Sequence, residues 1–388
     1  MISVLLVGVG GYGGLIAGEV LENAEKHNAE VVGIVEPFFE NSPVKDTVLS
    51  KNIPVFTDIS DFYKENKADI AIISTPIHLH KAQCICAMEN GSDVLCEKPI
   101  APTLQDAQKM KECAQKTGKN LHIGFQLSHA PAILDLKKDI LSGKFGNLES
   151  AYTTVSWPRN SQYFARPWAA KAKIHENWVL DSIAMNACAH YLHNMFFLAG
   201  DSLEKSAEPE FLGASIYRAN DIETYDTAFI EVKIKNDVSL KFTASHATEE
   251  NINPLIVFNF EKAKIYISED DGDNSVYALM SDGTKIEYGA TYKDRFKKIW
   301  YALDVFSGLK KPVCTVDTAL PHLKCINAIS QFYSVQKFDN VIVKDDVKCV
   351  ENLSKMLVEA FESNVMPSLY KPEKIIDMKN YSVFEGLR

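Results

Sequence analysis

The residues best suited to chemistry fall in a few short clusters. Gly8, Gly10 and Gly13 are spaced as G-x-G-x-x-G, with Val9, Gly11 and Tyr12 between them. In such a loop the first glycine permits a tight turn and the second lets the backbone approach a pyrophosphate. The third lets a helix pack closely on a strand. The helix opening there offers N–H groups and the positive end of its dipole to phosphate oxygens. Glu36 lies a little over about 20 residues further on, where a carboxylate accepts hydrogen bonds from ribose hydroxyls and repels a 2′-phosphate. No arginine follows it immediately, so NAD is favoured over NADP.

Two more clusters are Thr75-Pro76-Ile77-His78-Leu79-His80 and Glu97-Lys98-Pro99. Lys98, held between a carboxylate and a proline, reads equally as a rigid cation aimed at a nicotinamide and as a solvated surface lysine. For His78 and His80, helix capping or packing outweighs metal binding. Further on, Ser182, Asn186, His190 and His193 or Asn194 recur at helical spacing, one polar stripe on an otherwise apolar helix. Buried polar side chains need partners, so the stripe is expected to line a polar cavity or face another domain. His190 is the candidate proton acceptor, since an unperturbed imidazole pKa of ~6.5 suits that work. Asp181 reads more simply as the N-cap of this helix, with approach to the site from the helix entrance, on another face, as the alternative.

Upstream, Val155 to Trp178 holds Trp157, Arg159, Tyr163, Phe164, Arg166, Trp168, Lys171 and Trp178. Aromatic faces stack on the C–H faces of sugars, while the cations hold hydroxyls or carboxylates. A loop packed over the domain, or across an oligomer interface, explains the same composition as well.

These clusters need elements to position them. Ile2–Gly8, Glu30–Glu36, Pro54–Phe56, Ala68–Thr75, Asp93–Cys96 and Asn120–Phe125 read as strands. Tyr12–Asn28, His80–Glu89 and Leu104–Thr117 read as helices, the second ending at Asn90-Gly91 and the third at Gly118. Alternation of this kind makes an α/β doubly wound parallel sheet. Both loops following Thr75 and Cys96 then fall at strand C-termini, where ligands of such sheets bind. After Gly200 the runs Thr224–Lys235, Ser239–Ala247, Leu255–Phe260 and Lys264–Ser268 predict an antiparallel sheet, and Ser268–Asn274 a solvated loop. Such a sheet commonly leaves one face for helices and the other for a partner.

A chain of 388 residues is long enough for two domains, and its 46% hydrophobic and 24% charged residues suit globular cores. A net charge of -10 argues against nucleic-acid and anionic-membrane partners. The eight cysteines form no C-x-x-C pair and are expected to be reduced, buried thiols rather than metal ligands. The uncharged stretches Met1–Gly18 and Ser182–Gly200 are unconvincing as a signal or a span. A cytoplasmic location is therefore expected.

The glycine motif, Thr75-Pro76 with His80, and Glu97-Lys98-Pro99 together resemble the Gfo/Idh/MocA family of oxidoreductases, named for glucose–fructose oxidoreductase and inositol dehydrogenase. Gly124-Phe125-Gln126 with Pro131, then Gly143-Lys144-Phe145-Gly146, look like the family's crossing into its second domain. Pro312–Gln331 resembles its returning strand and helix. The resemblance covers residues 1 to about 335 and implies an NAD-binding Rossmann domain over 1–126. It implies a second domain over 127–388, built on a large, mainly antiparallel open sheet. In that domain 335–388 is an extension.

The resemblance assigns cofactor contacts to Gly8, Gly10, Gly11, Tyr12, Gly13, Glu36, Thr75, Pro76, His78, His80, Glu97 and Lys98. It gives Lys98 the orienting or protonation of the reacting oxygen and His190 the acid/base role. With them, Gln126, Trp157, Arg159, Arg166, Trp168, Asp181 and Asn186 are the substrate-side candidates. The family's D-x-x-x-H motif has Asn186 in place of its aspartate here, and Ser128 stands where an arginine is common. Hydride exchange between NAD and a sugar or polyol alcohol is the expectation, in a homodimer or homotetramer formed through the C-terminal sheet. The alternatives are glycoside cleavage by transient redox and a non-catalytic NAD-binding sensor.

Overall fold

Runs of Val, Ile and Leu bounded by Gly, Asn and Pro build the N-terminal sheet. In a computed structural model of the chain, residues 1–268, 276–291 and 295–381 are described. The strands are β1 (Ile2–Val7), β2 (Ala29–Val35), β3 (Val55–Phe56), β4 (Ile70–Ile73), β5 (Asp93–Cys96) and β6 (Leu121–Ile123). They pair in parallel in the order β3-β2-β1-β4-β5-β6. Parallel neighbours need crossovers, supplied by helices such as Gly11–Asn23, His80–Glu89 and Leu104–Thr117. Thr103 caps the last of these by accepting from the Asp106 N–H, and Gly118 stops it in the left-handed conformation.

The first compact unit is Met1–Gln126 together with Phe296–Val316. A boundary at residue 126 therefore leaves out a second passage of the chain. Helix Lys297–Phe306 buries Ile299, Ala302 and Leu303 in the cluster that holds Ile16, Val20, Ile34 and Ile70. The returning segment then runs along β6, where the Ile123 N–H donates to the Cys314 carbonyl at 2.9 Å. It covers the exposed edge of a strand whose backbone groups would otherwise lack partners.

The second unit is Leu127–Arg295 with Asp317–Arg388. Its strands are β7 (Leu148–Ser156), the small hairpin β8 (Lys173–Ile174) and β9 (Asn177–Trp178), and β10 (Phe211–Arg218). They continue with β11 (Thr227–Ile234), β12 (Val238–Ser245), β13 (Ile252–Phe260), β14 (Ala263–Ser268), β15 (Val276–Met280) and β16 (Lys285–Gly289). After helix Val316–Phe332 come β17 (Val335–Lys337), the hairpin β18 (Val341–Lys344) and β19 (Val347–Val350), and β20 (Ile375–Asp377). The main sheet runs β16-β15-β14-β13-β7-β12-β11-β10-β17, with β20 also on β10. It is antiparallel except where β12 meets β7 and β17 meets β10. The loop expected over Ser268–Asn274 lies, beyond Ser268, outside the described residues.

The face expected to await a partner is partly covered by the chain itself. Val350, Leu353 and Leu357 of the tail share one cluster with Tyr217, Phe229, Ala247 and Ile252. Phe338 stacks on Tyr217 at 4.8 Å, and Phe361 meets Tyr152 of β7 edge-on at 5.3 Å. Toward β14–β16 the half-exposed alternation remains, with Tyr266 stacked on Tyr277 at 5.1 Å and Leu279 exposed.

Candidate functional site

In the first unit the glycine loop joins β1 to helix Gly11–Asn23. Gly8 has φ +81, and a Cβ there would sit 2.8 Å from the Thr75 methyl. A Cβ on Gly13 would meet the Gly8 carbonyl oxygen at 2.2 Å, so only glycine lets this helix close on the strand. Gly11 by contrast faces open space at φ +49. Gly10 caps the helix with no side chain, so its first turn is left to a ligand. Glu36 borders this opening: Oε2 accepts from the Val9 N–H at 3.0 Å and Oε1 from the Phe38 N–H at 3.0 Å. Both oxygens are thus fixed, and each keeps a lone pair for a hydroxyl.

The loops after β4 and β5 are tied together by His80. Its Nε2 faces the Thr75 carbonyl at 2.8 Å and its Nδ1 the Pro99 carbonyl at 3.0 Å. Two carbonyl partners call for a proton on each nitrogen. Burial opposes that charge, but the Cys96 sulfur and the carbonyls outweigh it and push the pKa up to about 9. Ser74 Oγ and His78 Nδ1 are buried at this edge without a hydrogen-bond partner among the described residues. Such orphaned groups, the helix opening and Glu36 fit a dinucleotide. His78 is half-buried, and burial, with the charge of His80, lowers its pKa. Lys98 is half-buried after β5, in a cis peptide with Pro99.

Glu97 is engaged by a residue that the sequence reading missed. Lys298, fully buried on helix Lys297–Phe306, pairs with the Glu97 carboxylate. It also reaches the Gly124 carbonyl and the Tyr12 hydroxyl, at 3.2 and 3.3 Å. Burial disfavours its charge, but Glu97 and Tyr12 prevail and hold the pKa above the ordinary lysine value. One ammonium thereby ties the glycine loop, the Glu97 loop and the end of β6. A signal was available: Lys298 shares a helical face with Ala302 and Val305, an inward position where a lysine needs an acidic partner.

In the second unit the segment Ser182–Leu198 is not one regular helix. Ile183–Ala187 forms a π-helical turn, and the α-helix starts only at Ala189. Its N-cap is Ser182, whose hydroxyl accepts from the Met185 N–H, and not Asp181. The extra residue of the π turn shifts the register, so the expected stripe divides. Asn186 and His190 are half-buried, whereas His193 and Asn194 are fully buried. His193 Nε2 meets Ser128 Oγ at 2.9 Å, the position where the resembled family often has arginine.

Asp181 serves another task. Its Oδ1 accepts from the Asn186 amide at 2.7 Å and its Oδ2 from the Ala170 N–H at 2.6 Å. Thr224 donates to the Asp181 carbonyl at 2.5 Å. Ala170 and Leu180 both have φ +52, strain that this knot holds in place. Of the basic and aromatic stretch, Trp157, Arg159, Tyr163, Arg166 and Trp168 come together through ring contacts. Lys171 is instead paired with Glu223 at 2.8 Å, and Trp178 carries Lys173 over its ring at 4.1 Å. Gln126 is half-buried and ends the first passage of the N-terminal unit.

Among the described residues no group of three or more His, Cys, Asp or Glu side chains is placed to hold a metal ion. No described helix is long and apolar enough to cross a membrane.

Residues 2–125 match the model of an oxidoreductase family with an NAD-binding Rossmann fold, Gfo/Idh/MocA. Among curated proteins, 2,7-anhydro-N-acetylneuraminate hydratase of Mediterraneibacter gnavus is 29% identical over 159 residues, 38% of this chain and 41% of that protein. Inositol 2-dehydrogenase of Corynebacterium glutamicum is 30% identical over 149 residues, 37% of this chain and 43% of that protein. The chain thus spans about two fifths of the length of these relatives. Among solved structures, the WlbA dehydrogenase of Bordetella pertussis, crystallised with NADH and UDP-GlcNAcA, superposes with a TM-score of 0.70 at 22% identity. That match covers 85% of this chain and 95% of the other, so the likeness of fold extends through both units. With its glycine loop, Glu36 and Glu97-Lys98-Pro99 in one parallel sheet, the first unit is similar to the NAD-binding domain of the Gfo/Idh/MocA oxidoreductases.

Proposed function

We propose that this protein is an NAD-dependent dehydrogenase that exchanges a hydride between the cofactor and a secondary alcohol of a sugar, polyol or sugar derivative. The observation that carries this reading is the cradle of Gly8, Gly11 and Gly13 beside a Glu36 fixed by two backbone N–H groups. The names of the relatives, inositol 2-dehydrogenase among them, support the substrate class.

Gly10, Gly11 and the first helical turn would hold the pyrophosphate, Glu36 the adenosine ribose, and Thr75, Pro76, His78 and His80 the far end of the cofactor. When bound, NAD supplies the hydride acceptor. Lys98 donates a hydrogen bond to the reacting oxygen and stabilises its developing negative charge. His190 takes the hydroxyl proton. Asp181, through Asn186, fixes the start of the helical segment that carries His190, as a positioning residue. A carboxylate held on Asn186 by Asp181, beside the position where the motif has its aspartate, favours the catalytic reading over a non-catalytic sensor.

The test is NADH absorbance with a panel of sugars and polyols. Lys98→Ala and His190→Ala are expected to retain NAD binding and lose turnover. Wild-type turnover in both variants would sink the assignment. We further propose a homodimer or homotetramer through the β14–β16 part of the sheet that the tail leaves open. Eight free thiols suit the reducing cytoplasm.

A further inference from the structure

Arg159 and Arg166 differ in their partners from the ion-paired lysines of the second unit. Several lysines there take carboxylates: Lys144 has Asp139 at 2.6 Å, Lys171 has Glu223 at 2.8 Å, and Lys324 has Glu208 at 2.5 Å. Neither arginine meets a carboxylate among the described residues, in a chain of net charge -10.

Both guanidiniums lie on aromatic rings instead. Arg166 Cζ is 3.9 Å from the ring centre of Tyr163 and 4.4 Å from that of Trp168. Arg159 Cζ is 4.9 Å from the Tyr163 ring and 5.8 Å from that of Trp157. Tyr163 therefore gathers both cations into one cluster. Ring contacts desolvate the guanidinium faces but leave the N–H donors in the plane unsatisfied. Arg166 Nε donates to the Tyr163 carbonyl at 2.8 Å. Arg159 Nε and Arg166 Nη2 are buried and have no partner among the described residues. Trp157, Arg159, Tyr163, Arg166 and Trp168 are all only half-buried, so the cluster keeps an open side.

Its position within the second unit connects it to the candidate acid/base. Trp157 packs edge-on against Tyr191, the residue after His190, at 5.8 Å. Burial, with the charge of Asp181, holds the Tyr163 phenol above its ordinary pKa. The cluster thus borders the segment that bears Asp181, Asn186 and His190.

We infer that Arg159 and Arg166 form the subsite for an anionic group, a carboxylate or a phosphate, carried by the carbohydrate substrate. Paired guanidinium forks match the oxygens of such a group, and Trp157 and Trp168 offer flat faces to the sugar ring. The inference rests on the reading that the second unit receives a sugar, and it narrows that reading to acidic sugars.

The full chain is titrated by calorimetry and by tryptophan fluorescence with glucuronate, glucose 6-phosphate, glucose and myo-inositol. At least one anionic sugar is expected to bind about tenfold or more tightly than glucose, with an affinity that falls as NaCl is raised. The two anionic probes decide between carboxylate and phosphate. Arg159→Gln and Arg166→Gln should each reduce that preference about tenfold, and Arg166→Lys should restore part of it. Circular dichroism shows whether each variant is folded, and the wild-type selectivity stands as a test if one is not. Equal affinity for anionic and neutral sugars overturns the subsite. So does failure of every sugar to bind, or an anionic preference that survives both glutamine variants. NADH formation in the same wild-type samples separates the two readings. Turnover of neutral sugars without anionic preference removes the subsite alone. Anionic preference without NADH removes the dehydrogenase reading alone.

Discussion

Asn186 donates its side-chain amide to the Asp181 carboxylate at 2.7 Å, across the first turn of the segment that carries His190. The resembled D-x-x-x-H pattern would place the carboxylate at 186 itself. Here the carboxylate enters from residue 181, made available because Ser182 takes over the capping of the helix.

Asn186→Asp would place two carboxylates where one amide hydrogen bond now lies. Like charges at that distance force one group to keep a proton, so its folded-state pKa rises above the unfolded value. The variant is therefore expected to be less stable at pH 7 by about 1–3 kcal/mol. The deficit should shrink as pH falls to 5 and the pair gains its proton. Urea unfolding at the two pH values measures this, and an equal deficit at both would contradict it.

Lys298→Met leaves the buried Glu97 carboxylate without its cation. Removal of one member of a buried pair typically costs about 3–5 kcal/mol. Lys298→Met with Glu97→Gln should recover part of that loss. Chemical denaturation of the single and double variants gives the coupling directly.

Glu36→Ala removes the acceptor for the Val9 and Phe38 N–H groups as well as the expected ribose contact. NADH affinity should fall about tenfold or more, with NADPH affected less because a repulsive charge is lost as well. Titration of nucleotide fluorescence reads both constants. An unchanged NADH affinity would remove Glu36 from the cofactor site.

Two buried histidines predict opposite pH dependences. Burial lowers the pKa of His122 to about 4. Its stabilising share is therefore present above the unfolded value of ~6.5 and is lost as pH falls toward 4. His80 is raised to about 9, so its share is present below ~6.5 and is lost as pH rises through 9. Melting temperatures across pH 4 to 10 should decline on both sides. His122→Phe, against the Phe306 ring at 5.4 Å, should flatten the acid side.

Much of the first unit was determined by sequence alone. Buried parallel strands are short apolar runs, and helix ends are set by local chemistry at Thr103, Gly118 and the glycine loop. The helices His80–Glu89 and Leu104–Thr117 and the strand Asp93–Cys96 follow the sequence pattern residue for residue. The glycine spacing was legible because Gly13 meets the Gly8 carbonyl within one βα turn, whereas the Thr75 methyl that crowds Gly8 comes from a distant strand end.

Long-range partners were decided only by the tertiary structure. Lys298 and Glu97 are 201 residues apart, and nothing local marks one as the counter-ion of the other. Likewise, the tail's packing on Tyr217 and Phe229 follows from burial of apolar area, which is non-directional and names no partner in advance. The π turn at Ile183–Ala187 divides a polar stripe whose spacing alone pointed to one continuous face. Periodicity fixes which residues share a side only while the helix keeps its pitch, and here Asp181, Ala170 and Thr224 set the geometry from outside it.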